Sequence, residues 1–165
     1  MGSSVEVIRV PVATFAAGRD PDRLCIGGLG SCVGVALYDP VARVGGLAHV
    51  LVPAGGGGVA GRWPAASPER AVAGLLQAVA ATGGEPGRCV AKLAGGGQVF
   101  EGLAGRGRAR PVGPQTVAAV RAELSRRGIP LVAEALSPKV GRSMELDLAS
   151  GAVTVRGADG TIQVL

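Results

Sequence analysis

An α/β domain with mixed sheets and helices on one face is the fold class that this sequence predicts, and three observations carry it. Short apolar runs of strand length are interleaved with two segments of helical period. Glycines and prolines punctuate nearly every boundary between them, and the C-terminal part alternates as a hairpin does. At 165 residues the chain can bury one core without staples or metals, so a single domain over 1–165 is expected. Aromatic residues are only 2% of the chain against 47% hydrophobic residues, so Val, Leu and Ala must build that core.

The elements follow in order. Glu6 to Val12 alternates and is rich in β-branched residues, which reads as a strand, and Gly18 to Asp22 reads as a turn. Cys32 to Leu37 is continuously apolar, too short for a helix and bounded by Gly30 and by Asp39-Pro40, which marks a buried strand. Leu47 to Val52 is similar and stops at Pro53; the glycines at 55–58 and 61 read as a loop. Ser67 and Pro68 then open a helix whose Val72, Leu75, Leu76 and Val79 form one stripe, with Gly83 closing it.

Cys89 to Leu93 reads as a strand running into Gly95-Gly96-Gly97, and Gly102 to Pro111 as a loop. A second helix is expected from about Pro114 to Arg127, burying Val117, Val120 and Leu124 and stopping at Gly128. Ile129 to Ala135 follows as a strand. Met144 to Leu148 and Ala152 to Arg156 make a hairpin with one wet face, and Ile162 to Leu165 a last edge strand.

Composition removes several function classes. The mean hydropathy of +0.37 invites a membrane reading, yet the longest uncharged stretch, 44–61, holds His49, Pro53 and many glycines and cannot span a bilayer as a helix. Glu6 and Arg9 stand where a secretory signal needs its apolar segment, so a cytoplasmic location is expected. Cys25, Cys32 and Cys89 are an odd set read as free thiols, and with one histidine in the chain a structural zinc site is not expected. The net charge of +5 admits nucleic acid, but the arginines are scattered and Phe15, Tyr38, Trp63 and Phe100 too dispersed for base stacking. A solvated basic surface is expected instead.

The chemistry-bearing residues crowd into one region. Gly27-Gly28-Leu29-Gly30-Ser31-Cys32 sets glycines directly before a thiol and a buried strand, where backbone N–H groups can be presented to an oxyanion. A strand follows these glycines and no helix does, which excludes a dinucleotide fingerprint. If the next turn centres on Pro40-Val41, paired residue numbers sum to 81, and Cys32 then faces His49 directly, with Cα atoms roughly 4.5–5.5 Å apart. An imidazole so placed can take the thiol proton and return it to a leaving group. Cys25 and Cys89 read as small core side chains.

The run from Leu29 to Pro40 (LGSCVGVALYDP) and that from Gly45 to Pro53 (GGLAHVLVP) resemble the signature of the CheD family of bacterial chemoreceptor glutamine deamidases. The likeness continues in Lys92 to Gly97, in Gly128 to Glu134 and in Gly141-Arg142. It implies a layered α/β sandwich of mixed sheets with about two to three helices and a Cys-His pair at a sheet edge. It also implies hydrolysis of glutamine side chains to glutamate on methyl-accepting chemotaxis receptors, with no cofactor and no metal. By the same likeness Cys32 is the nucleophile and His49 the base, the receptor's cytoplasmic domain is the substrate, and a CheC-type phosphatase is a partner. Ile26 stands where the family places a threonine as third member of its triad, so Ile26, Gly30 and Ser31 form the candidate orienting or oxyanion region. Ile26 also supports the alternative, a weakly catalytic or non-catalytic regulator of the phosphatase. Ser137-Pro138 stands where the family commonly has paired glycines.

Overall fold

The computed structural model describes residues 4–54, 62–97, 112–136 and 141–165; the glycine loop at 55–61, the loop from Gly102 to Pro111 and Ser137-Pro138 lie outside them. In chain order the strands are β1 (Val7–Arg9), β2 (Phe15–Arg19), β3 (Arg23–Leu29), β4 (Val33–Asp39) and β5 (Val44–Val50). After helix α1 (Pro68–Ala81) come β6 (Val90–Gly95), α2 (Val112–Arg126), β7 (Leu131–Leu136), β8 (Arg142–Asp147), β9 (Val153–Gly157) and β10 (Ile162–Val164). They form two five-stranded sheets, one ordered β1-β3-β8-β9-β10 and the other β2-β5-β4-β6-β7. Each contains one parallel pair, β1 with β3 and β6 with β7, so both sheets are mixed as the sequence predicts.

Strand periodicity sorts the core into two layers. On β4, Val33, Val35 and Leu37 join Ala48 and Val50 of β5 against Val72 and Leu75 of α1 and Val117, Val120 and Leu124 of α2. The alternate residues, Ala36 and Tyr38 of β4 with Leu47 of β5, face Leu24, Ile26, Leu29, Met144 and Leu146 of the other sheet. The architecture is thus sheet, sheet, helices, and both faces of β4 and β5 are buried along their whole length. Glycine substitutes for ring volume in closing these layers. A Cβ on Gly46 would sit 2.4 Å from Leu75 Cδ1, so α1 can lie this low only over a glycine.

Both helices stop on left-handed glycines, Gly83 at φ 104° and Gly128 at φ 69°, as expected. Ser67 does occupy the N-cap position of α1, but its hydroxyl makes no capping bond; Pro68 in the first turn removes one donor that would otherwise need it. The opening strand is shorter than the alternation of Glu6 to Val12 suggests, and β2 and β3 go unannounced in the sequence. The turn expected at Gly18 to Asp22 is confined to Asp20 to Asp22, because Gly18 and Arg19 pair with Gly45 and Val44 of β5.

Candidate functional site

Two local devices shape the chain around Cys32. Between Ile26 and Leu29 the pairing with β8 slips by one residue, a bulge that Gly28 accommodates at φ 73°. Beyond it, the Gly30 carbonyl accepts from the Gly97 N–H and the Cys32 carbonyl from the Gly96 N–H, each at 2.9 Å. Gly95, at φ 93°, makes this approach feasible, since a Cβ there would fall 2.4 Å from the Cys32 carbonyl oxygen. A trans peptide points its N–H opposite to its C=O, so the Ser31 N–H is aimed away from Gly97. No hydrogen bond from the Ser31 N–H occurs among the described residues.

The β4–β5 register differs from the expectation. Asp39 pairs with Val44 and Gly34 with His49, so paired numbers sum to 83, and Cys32 is a diagonal neighbour of His49 rather than its direct opposite. Pro40 is the reason. A two-residue hairpin turn needs positive φ at a first central residue, which proline cannot adopt. The chain instead uses a four-residue loop, with Arg43 at φ 53° and Asp39 Oδ1 accepting from the Val41 and Ala42 N–H groups. A shift of two in the sum leaves both side chains on one face, where diagonal neighbours have Cα atoms about 7–8 Å apart. Cys32 packs against the inter-sheet layer, and His49 lies in the same layer 1% exposed.

The imidazole is unusual in its polar isolation. Nδ1 and Nε2 are both buried, and neither has a hydrogen-bond partner among the described residues. Burial pushes its pKa below the ordinary 6.5, opposed by the nearby Val10 carbonyl, which favours the protonated ring. Burial likewise pushes the Cys32 thiol above its ordinary 9.0. Burial thus disfavours the charged form of both groups.

Ile26 lies under this pair. It is 1% exposed, is paired with Met144, and its Cδ1 sits 3.5 Å from the Cβ position of Gly34, the residue opposite His49. An isoleucine cannot hold an imidazole, and the Val10 carbonyl lies near the ring without a well-formed hydrogen bond to either nitrogen. A second group without a partner belongs to the same end of the layer. Arg142 is paired with Leu29, and its Nη1 is buried with no hydrogen bond among the described residues. The sequence offered no signal for Val10 and only the Gly141-Arg142 likeness for Arg142.

The remaining sequence candidates fall elsewhere. The pair is not at a lateral sheet edge, because β4 is the central strand of its sheet; the site is at the open end of that strand. Cys25 is not a core side chain. It alternates outward with Arg23, away from the layer that receives Cys32, and is partly exposed. Cys89 is buried as expected, its thiol pushed up to about 11 by burial. Among the described residues no three His, Cys, Asp or Glu side chains gather to hold a metal ion, and no helix is long and apolar enough to cross a membrane.

Residues 60–157 match the family model CheD, described as CheD chemotactic sensory transduction. The chain belongs to the CheD family. It is similar to the probable chemoreceptor glutamine deamidase CheD of Desulforamulus reducens, 39% identical over 96% of this chain and 95% of that protein. It is also similar to the probable chemoreceptor glutamine deamidase CheD 2 of Geobacter metallireducens, 42% identical over 97% of this chain and 99% of that one. A crystal structure of a Neisseria meningitidis protein matching the family model DUF152 aligns with 82% of this chain and 64% of its own, at 16% identity and a TM-score of 0.47. The relatives bear out the CheD resemblance read from the sequence, and the two mixed five-stranded sheets with two helices bear out the layered α/β fold.

Proposed function

We propose that this chain is a cytoplasmic amidohydrolase that converts glutamine side chains to glutamate on the cytoplasmic domain of chemoreceptors, with Cys32 as nucleophile and His49 as base. The observation that carries the reading is the buried imidazole with neither nitrogen engaged, on the same face as the thiol at the open end of β4 and β5. A buried polar group left unpaired costs roughly 1–3 kcal/mol, and such a group persists where a reaction uses it. The relatives named as probable chemoreceptor glutamine deamidases supply the substrate class.

In this mechanism the His49 imidazole takes the Cys32 proton as the sulfur attacks the amide carbon of the glutamine. The carbonyl pair moves onto oxygen, held by the N–H groups of the Gly30-Ser31-Cys32 segment. When the pair returns, the carbon–nitrogen bond breaks, the imidazolium gives its proton to the nitrogen and ammonia leaves. Water, deprotonated by His49, then opens the thioester to release a glutamate side chain and the free thiol. A site beside a half-buried thiol suits a macromolecular substrate that brings its side chain to the protein.

The test is intact-mass spectrometry of cytoplasmic receptor fragments incubated with the protein, with ammonia assayed in parallel. Each target site should gain about one mass unit, the exchange of an amide for an acid, and Cys32→Ala and His49→Ala should abolish the gain. No mass change on several receptor fragments overturns the reading. With binding to a CheC-type phosphatase retained, that outcome favours the regulatory alternative.

A further inference from the structure

We propose that Arg142 is a substrate-contacting residue of the Cys32 site, its guanidinium donating to the oxygen of the amide that the thiol attacks. The inference rests on Cys32 being the reacting thiol.

Facing strands of the two sheets place the two residues together. On β4, a Cβ at Gly34 would lie 2.5 Å from Met144 Sδ of β8, and the Tyr38 hydroxyl donates to the Leu148 carbonyl at 2.9 Å. The two strands thus run in the same direction and stay in step, 34 against 144 and 38 against 148. Continued two residues back along each, to Cys32 just before β4 and to Arg142 at the start of β8, this register sets the two on the facing sides of the layer. Arg142 is also the ladder partner of the wholly buried Leu29, which turns its side chain into the inter-sheet layer. Stacked sheets lie about 10 Å apart, a gap that an arginine crosses and most side chains do not.

Among the described residues no carboxylate pairs with the guanidinium. The arginines of the observed ion pairs, Arg23, Arg43, Arg88, Arg121, Arg126 and Arg127, each have an Asp or Glu within 4 Å. Arg142 makes no such pair among the described residues, and its Nη1 is buried and unbonded. Asp159, the acid that feels its charge, commits Oδ1 to the backbone N–H and hydroxyl of Thr161. The described end of the layer therefore presents a guanidinium and a thiol with no carboxylate bonded to either. A developing oxyanion fits that space, and a planar guanidinium reaches it with less rearrangement than an ammonium.

The experiment compares the rates at which iodoacetate and iodoacetamide alkylate Cys32, read by peptide mass in the full chain, for wild type, Arg142→Gln and Arg142→Lys. The two reagents displace iodide at the same thiolate and differ only in presenting a carboxylate or an amide. A cation facing Cys32 favours iodoacetate, so the iodoacetate-to-iodoacetamide ratio should drop about tenfold in Arg142→Gln and be largely kept in Arg142→Lys. Deamidation kcat/KM should drop about 100-fold in Arg142→Gln, carried by kcat. Arg142→Met, which leaves no polar group unpaired, replaces Arg142→Gln if that variant does not fold. An unchanged ratio and unchanged kcat/KM in the neutral variant, where Cys32→Ala is inactive, overturn the role of Arg142 alone. Normal deamidation by Cys32→Ala overturns the reading beneath it as well.

Discussion

The two ends of the β4–β5 hairpin are made from the same strands and treat polar groups in opposite ways. At the turn end Asp39 is fully buried and fully satisfied. It accepts from the N–H groups of Val41, Ala42 and Glu85 and from the Arg88 guanidinium, at 2.8 to 3.2 Å. Nearby, Tyr38 bonds the Leu148 carbonyl, and the Lys92 ammonium donates to the carbonyls of Gly151 and Leu165. At the open end, the described structure leaves His49 Nδ1 and Nε2 and Arg142 Nη1 buried with nothing to bond. A satisfied end stabilises the fold, and an unsatisfied end costs stability and retains reactivity.

That contrast predicts that substitutions at the two ends move different quantities. The largest effect is at Cys32: Cys32→Ala should lower deamidation by at least about 10⁴-fold with little change in melting temperature. His49→Gln should lower kcat/KM by about 10³-fold, read in the same assay. Asp39→Asn should do the reverse, costing about 2–3 kcal/mol in urea unfolding with kcat/KM unchanged. The Arg88 guanidinium holds the Asp39 carboxyl well below its ordinary 3.8. A lowered folded-state pKa contributes stability that is complete above the unfolded value and is lost as pH falls through the folded one. The gap between wild type and Asp39→Asn should therefore persist at neutral pH and shrink progressively as pH falls below about 3.8.

Smaller effects sharpen the comparison. His49→Leu, which removes two unpaired nitrogens, should raise stability by about 1 kcal/mol while abolishing activity; a loss of stability there breaks the contrast. Tyr38→Phe, which leaves a carbonyl short of one donor, should cost about 1 kcal/mol without touching kcat/KM. The pH dependence of Cys32 alkylation by iodoacetamide probes the resting pair. Because burial raises the thiol above 9.0 and lowers the imidazole below 6.5, the rate should climb only as pH approaches and passes 9. A rate already at its plateau at pH 6 indicates a thiolate–imidazolium pair and contradicts the neutral one.

The sequence made the face of the site legible but not its register. Pairing Cys32 and His49 through a turn at Pro40-Val41 misplaces them by a step of two, and a step of two preserves the face. The helices were legible from the stripe through Val72, Leu75 and Val79 and from the glycines that end them, because those signals are local. β3 was not, since its Gly27-Gly28 bulge removes the alternation by which a strand is recognised. The open-end chemistry was half hidden for a related reason. The Val10 carbonyl, near His49, follows β1, and Arg142, paired with Leu29, lies on β8, so both come from segments separate in sequence from β4 and β5.

The most direct test of the account is to trap the covalent intermediate. The protein is mixed with a glutamine-bearing receptor fragment, quenched in acid within the first turnover, and digested for mass analysis. The account predicts a thioester on the peptide containing Cys32, equal in mass to the receptor segment less ammonia, absent from Cys32→Ala and strongly reduced in His49→Gln. Deamidation that proceeds with no adduct on Cys32, or with an adduct on Cys25 or Cys89 instead, would contradict it.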